Sequence, residues 1–141
     1  MFIGSRQGPI KYEGSLISNR HAAVFPNAAL KLAALEELKK TNLEYTLFNN
    51  GFFLDYFGIP KVKSYLTPFA FGLDFQHKVA AIPGSGKTPA VFTSTKDVGR
   101  FVVASLGLEK WNENSIIVGD RKTWNEILAF AEKATGMFVL M

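Results

Sequence analysis

Cysteine is absent from the 141 residues, which removes disulfides, thiol catalysis and cysteine-ligated metals together. Histidine is nearly absent: His21 and His77 stand alone and make no metal-ligand spacing. No apolar run approaches the roughly 18 residues of a membrane span. The opening "MFIGSRQG" has too short an apolar run for a signal peptide, so a soluble, cytoplasmic protein is expected. Lysine and arginine exceed aspartate and glutamate only mildly, 16 against 12, and the excess is scattered. With no basic cluster interleaved with aromatics, nucleic acid is not an expected partner. Internal repeats and low-complexity tracts are missing too. What is plentiful is apolar mass. Hydrophobic residues make up 48% of the chain and thirteen of them are phenylalanine. That suffices for one domain over 1–141, with either an aromatic-rich core or rings turned toward a partner.

The stretch "AAIPGSGKTPAVFT" (80–93) raises the possibility of a nucleotide triphosphatase, because from Ala81 it reads A-x-x-x-x-G-K-T. A phosphate-binding loop needs a strand before it and a helix immediately after, whose N-terminus helps hold the charge. "KVAAI" supplies an apolar strand, but "AVFTST" is β-branched and aromatic, with no helical period. Ala81 also replaces the first loop glycine. The better reading is a hairpin, "KVAAI" and "AVFT" joined by "PGSGK", with Gly84 and Gly86 at positive φ.

Elsewhere the pattern predicts a short strand at "MFIG" and then a polar loop. A helix follows from about Asn27 to Lys40, a strand at Glu44–Phe48, and an aromatic, glycine-broken loop with short helical turns. "STKDVGRFVVASLGL" reads as a helix capped by Thr95, with Val98, Phe101, Val102 and Leu106 buried. "SIIVG" reads as a buried strand. "TWNEILAFAEKATG" reads as a helix with a T-x-x-E capping box at Thr123 and Glu126, an inward face of Trp124, Ile127, Leu128 and Ala131, and a stop at Gly136. Strands alternating with helices predict an α/β fold with parallel pairing.

Two features stand out as candidate chemistry. On the first helix Leu32, Leu35 and Leu38 set an apolar stripe, and at 100° per residue Lys31 falls inside it. Such a lysine either snorkels to solvent or points its ammonium into a ligand site, as a general acid or a hydroxyl or phosphate contact. The second feature is "YTLFNNGFFLDYFG", which runs from a strand end through Asn49, Asn50 and Gly51 into four aromatics within seven residues. Ligands of open α/β sheets bind beyond the carboxyl ends of strands, where a glycine lets a flat ring approach the backbone and Asn50 offers amide groups. The alternative is an aromatic plug closing the core.

These residues together carry a resemblance. "F-I-G-S-x-x-G", Lys31 placed fourteen residues before Tyr45, "L-E-Y-T-L-F-N-N-G-F-F", "A-I-P-G-S-G", "V-F-T-x-T-x-D-V-G-R-F-V" and "T-W-N-E" occur in an order that resembles the NmrA-like and isoflavone-reductase-like family. That family groups atypical short-chain dehydrogenase relatives common in fungi. The resemblance implies the second half of a Rossmann-like parallel sheet with flanking helices, beside the β-hairpin. It further implies NAD(P)H-dependent reduction of a small aromatic or polyketide-like metabolite, in fungal secondary metabolism. Lys31 matches a helix lysine that meets the nicotinamide ribose and the substrate. Ser5 matches a strand-end position near the active site. Asn50, Gly51, Phe52, Phe53, Leu54, Asp55 and Tyr56 match the loop that closes over the nicotinamide. Members of the family open with G-x-x-G-x-x-G at the pyrophosphate site, whereas "GPIKYEG" has the wrong spacing and no helix after it. The resemblance is therefore to the middle of such a protein. It implies weak or absent NADPH binding by this chain alone, and an uncovered sheet edge at Phe2 open to self-association or a partner chain. Its alternatives are a non-catalytic dinucleotide-sensing regulator and an interaction module.

Overall fold

The computed structural model describes residues 2–3, 26–136 and 139–140, in a mixed α/β fold. Among them, three helices of more than one turn and one 3₁₀ turn accompany three three-stranded sheets. Contacts group the chain into two compact units, 1–49 with 104–116 and 50–103 with 117–141, each described by itself. No helix among the described residues is long and apolar enough to cross a membrane.

In the first unit, strand β2 (Leu47–Asn49) lies between β1 (Phe2–Ile3), antiparallel to it, and β7 (Asn114–Ile116), parallel to it. Leu47 and Phe48 are buried, as is Thr46, whose hydroxyl shares a 2.8 Å hydrogen bond with that of Ser115. Phe48 meets the edge of Trp111 at 6.4 Å between ring centres. Helix α1 (Pro26–Lys39) opens on proline, which suits a first helical position because the missing N–H would have had no partner there. Its outer surface carries the i,i+3 pairs Glu36–Lys39 and Glu37–Lys40. Leu32, Leu35 and Leu38 are only half-buried, and Lys31 is exposed. The structure thus differs from the reading of a lysine enclosed by the stripe. Periodicity fixes which residues share a face but not whether anything covers it, and here the face is partly open.

The second unit holds the larger core. Strand β6 (Pro89–Thr93) lies between β3 (Phe52–Phe53), parallel, and β8 (Asp120–Thr123), antiparallel. Strand β5 (Val79–Ala80) lies between β4 (Leu73–Asp74), antiparallel, and β9 (Val139–Leu140), parallel. A hairpin containing "KVAAI" is therefore present, but its partner strand is upstream at Leu73–Asp74, and β6 pairs elsewhere. The correction has a local cause: four residues, Phe75 to Lys78, join β4 to β5, and Lys78 turns the chain with φ of 56°. The "PGSG" turn still forms as read, with Gly84 at φ 58°, Gly86 at φ 69° and a 3.1 Å bond from Gly86 N–H to the Pro83 carbonyl. It is held against the start of the helix Trp124–Thr135 by Asn125, which donates to the Ser85 and Gly86 carbonyls at 3.2 Å each. A strand, not a helix, follows "GSGKT" in the chain, and the first turn of the Trp124–Thr135 helix that meets the loop spends the Asn125 N–H on the Gly86 carbonyl.

Helix α3 (Trp124–Thr135) follows the sequence reading closely. Thr123 is extended (φ −82°, ψ 157°) and accepts from Glu126 N–H at 3.2 Å, while Glu126 Oε2 accepts from Thr123 N–H at 2.8 Å. Trp124, Ile127, Leu128 and Ala131 are buried, and Gly136 ends the helix at φ 97°. They pack with Leu73, Ala80 and Phe92, and with the half-buried Phe57, Phe71 and Phe75. Each large apolar side chain enclosed in this way contributes roughly 1.5–3 kcal/mol.

Helix α2 (Thr95–Ser105) departs from its reading in two respects. Its N-cap is Ser94, which accepts from Asp97 N–H at 3.1 Å and donates to the Asp97 carboxylate at 2.8 Å. Thr95 is the first helical residue instead, because its N–H and hydroxyl are drawn to Asp55. Of the expected stripe only Val98 is buried. Phe101 is 46% and Leu106 65% exposed, since only the first turn of the helix reaches the core.

Candidate functional site

The segment Asn50–Tyr56 lies entirely within the second unit. Asn50 is buried, and its carbonyl accepts from the Thr93 hydroxyl at 2.9 Å, which itself accepts from Gly119 N–H at 3.1 Å. The Asn50 amide NH₂ donates only weakly, to the Gly51 carbonyl at 3.2 Å. Among the described residues nothing donates to Asn50 Oδ1, so a buried amide oxygen is left with an open acceptor site. Buried polar groups are nearly always paired, and an exception calls for a partner. Gly51 has φ of 67°, and a Cβ there would run into the Val91 backbone. The position demands glycine for its conformation and for its close approach.

Phe52 and Phe53 form β3, and Leu54–Phe57 form the 3₁₀ turn. Phe52 packs within 4.9 Å of Phe71, 5.5 Å of Trp124 and 5.6 Å of Phe92, centre to centre. Phe57 packs against the core, and Phe52, 37% exposed, reaches it from the surface. Phe53 turns its ring to Tyr56 at 6.3 Å and Tyr56 meets Phe69 at 6.2 Å, leading to the surface, where Phe69 is 62% exposed. The run thus divides between rings that reach the core and rings that lead outward.

Asp55 is buried, and both carboxylate oxygens are taken by Thr95, one by its N–H at 2.7 Å and one by its hydroxyl. Burial pushes the carboxyl upward, but the Thr95 hydroxyl and N–H together with Ser64 outweigh it and hold Asp55 below the ordinary aspartate value. The carboxylate sits at the positive end of α2, where a negative charge is favoured. Its evident work is to fasten the 3₁₀ turn to the helix.

Lys31 stands exposed on α1, in the first unit, and Ser5 lies outside the described residues. One arrangement escaped the sequence reading. His77 Nδ1 lies 2.7 Å from Asp74 Oδ2, while Asp74 Oδ1 accepts from the Gln76 and His77 N–H groups at 2.9 and 3.0 Å. The His77 contact is the largest influence holding the Asp74 carboxyl below its usual range. An open surface depression of about 400 Å³ lies beside the pair, lined also by Ala70, Gly72, Leu73, Val79 and Ala81. The signal was the spacing D-x-x-H at a turn between the apolar stretches "FGL" and "VAA".

No family model matches the chain, and no solved structure matches it. Curated relatives do. The chain is 48% identical over 128 residues, 91% of its length, to Oxidoreductase BOA1 of Botryotinia fuckeliana. It is 30% identical over 126 residues to Oxidoreductase swnN of Metarhizium robertsii, and 27% identical over 111 residues to Oxidoreductase swnN of Arthroderma benhamiae. The matches span 42%, 37% and 35% of those relatives, so the larger part of each lies outside the match. Over nine-tenths of its length the chain is thus similar to part of a protein named an oxidoreductase.

Proposed function

We propose that this chain forms the nicotinamide-facing part of an NAD(P)H-dependent oxidoreductase of the NmrA-like kind, reducing a small aromatic or polyketide-like metabolite. The observation that carries the reading is the 48% identity over 91% of the chain to a protein named an oxidoreductase. Asn50 supports it, with a buried amide and an open acceptor. A nicotinamide carboxamide offers the N–H that Asn50 Oδ1 lacks. Lys31 is the proton donor or ribose contact of this reading, and its exposure leaves the ammonium accessible to a ligand. The adenosine half of the cofactor finds no glycine fingerprint within these 141 residues.

The test uses the halves of the cofactor. Reduced nicotinamide mononucleotide and NADPH are titrated separately, following nicotinamide fluorescence. Both are expected at millimolar Kd and within about twofold of each other, because the chain contacts only the part they share. Lys31→Ala and Asn50→Leu each weaken both ligands. Failure of the mononucleotide to bind at all, or unchanged affinity in both variants, overturns the reading.

Asp55 favours a second reading, that of a dinucleotide-sensing regulator without turnover. The loop's one carboxylate is committed to Thr95, which leaves Tyr56 as its remaining titratable side chain. Binding of the mononucleotide with no NADPH oxidation against a panel of aromatic ketones and quinones selects it.

A further inference from the structure

We propose that the open depression beside the β4–β5 hairpin is a second small-molecule site, taking a phenol or enol whose hydroxyl donates to His77 Nε2. The argument starts with the ring. A carboxylate only accepts, so the 2.7 Å contact between Asp74 Oδ2 and His77 Nδ1 places the donor hydrogen on Nδ1. In the neutral ring Nε2 then carries the lone pair. The second Asp74 oxygen is anchored by two backbone N–H groups, so the carboxylate that orients the ring is itself fixed. A base held by a second, fixed group is the arrangement that prepares an imidazole to accept a proton or a strong hydrogen bond.

The depression states what accompanies that hydroxyl. Ala70, Gly72, Leu73, Val79 and Ala81 supply small apolar walls, and Asp74 and His77 supply the polar end. Leu73 is 3% exposed and fixes the floor. The volume, about 400 Å³, is at the small end for organic ligands, which suits one substituted ring rather than a dinucleotide. Phosphate is disfavoured here, because the Asp74 carboxylate faces the same space with no lysine or arginine among the described lining residues. None of Asn50–Tyr56 lines this depression, so the site is separate from the nicotinamide reading and does not depend on it.

The test uses the whole chain and two fluorinated probes followed by ¹⁹F NMR, 4-fluorophenol and 4-fluoroanisole. They share a ring and differ in the hydroxyl hydrogen. The phenol is expected to bind saturably and about tenfold tighter than the ether, the usual worth of one hydrogen bond to a prepared acceptor. His77→Ala removes that tenfold difference and leaves the ether unchanged. Ala81→Phe, at an exposed wall position, fills the depression and abolishes binding of both. His77 side-chain exposure is 68%, so the alanine variant is expected to fold, and circular dichroism checks this. No saturable phenol binding, equal affinity for the two probes, or a preference that survives His77→Ala each overturns the proposal.

Discussion

Asp55 shows how one residue sets a local balance. It is 5% exposed yet charged, and it stays charged because Thr95 satisfies both oxygens. Replacing it with alanine leaves an N–H and a hydroxyl without their acceptor, and stability is expected to fall by about 2 kcal/mol. Urea unfolding at pH 7 measures this. The sign with pH follows from the lowered carboxyl. An aspartate whose folded value lies below its unfolded value of about 3.9 stabilises fully above that value, and the contribution is lost as pH falls through the folded value. The penalty of Asp55→Ala should therefore be largest at neutral pH and shrink below about pH 4. A penalty that grows on acidification would contradict the assignment. Asp97 and Glu126 are also held low, by Ser94 and by the Thr123 backbone respectively, so the parent protein is expected to lose stability in the same direction.

At the scale of elements, caps and turns decide more than propensity. Helix α2 begins at Ser94 because its hydroxyl closes a reciprocal pair with Asp97. Ser94→Ala should cost about 1 kcal/mol in thermal or urea unfolding, the usual worth of an N-cap. The "PGSGK" turn is the converse case, a sequence that imitates a phosphate loop and folds as a docked turn. ATP hydrolysis is expected to be undetectable, and Lys87→Ala should shift stability by less than about 0.5 kcal/mol, since Lys87 is exposed. A phosphate-release assay showing activity that disappears in Lys87→Ala would refute the turn assignment.

For the molecule as a whole, the open question is cover. Within the second unit Tyr65 is 93%, Phe69 62% and Val62 51% exposed. Exposed apolar groups of this size mark interfaces or aggregation sites. The matched relatives carry more than half of their length beyond the matched part. We propose that these side chains are covered by a second copy of the chain, and light scattering should show mass rising with concentration. Tyr65→Ser with Phe69→Ser should reduce that rise. A constant monomer mass across the range would set the proposal aside.

The sequence by itself determined what depends on near neighbours. It specified α3 from cap to stop, because Thr123, Glu126, the Trp124–Ala131 face and Gly136 act within one or two turns of each other. It specified the positive φ of Gly84 and Gly86. Tertiary structure decided what depends on distant partners. Strand β8, "DRKT", is polar and silent as a strand until β6 pairs with it, and β5 chose β4 over β6 because a four-residue turn closes sooner than the longer "PGSG" connection. Thr95 lost the cap to Ser94 because Asp55, forty residues earlier, claimed it. The exposure of Lys31 and the meeting of Asp74 with His77 likewise follow from which faces are covered and how a hairpin closes, and a helical or strand period carries no information about either.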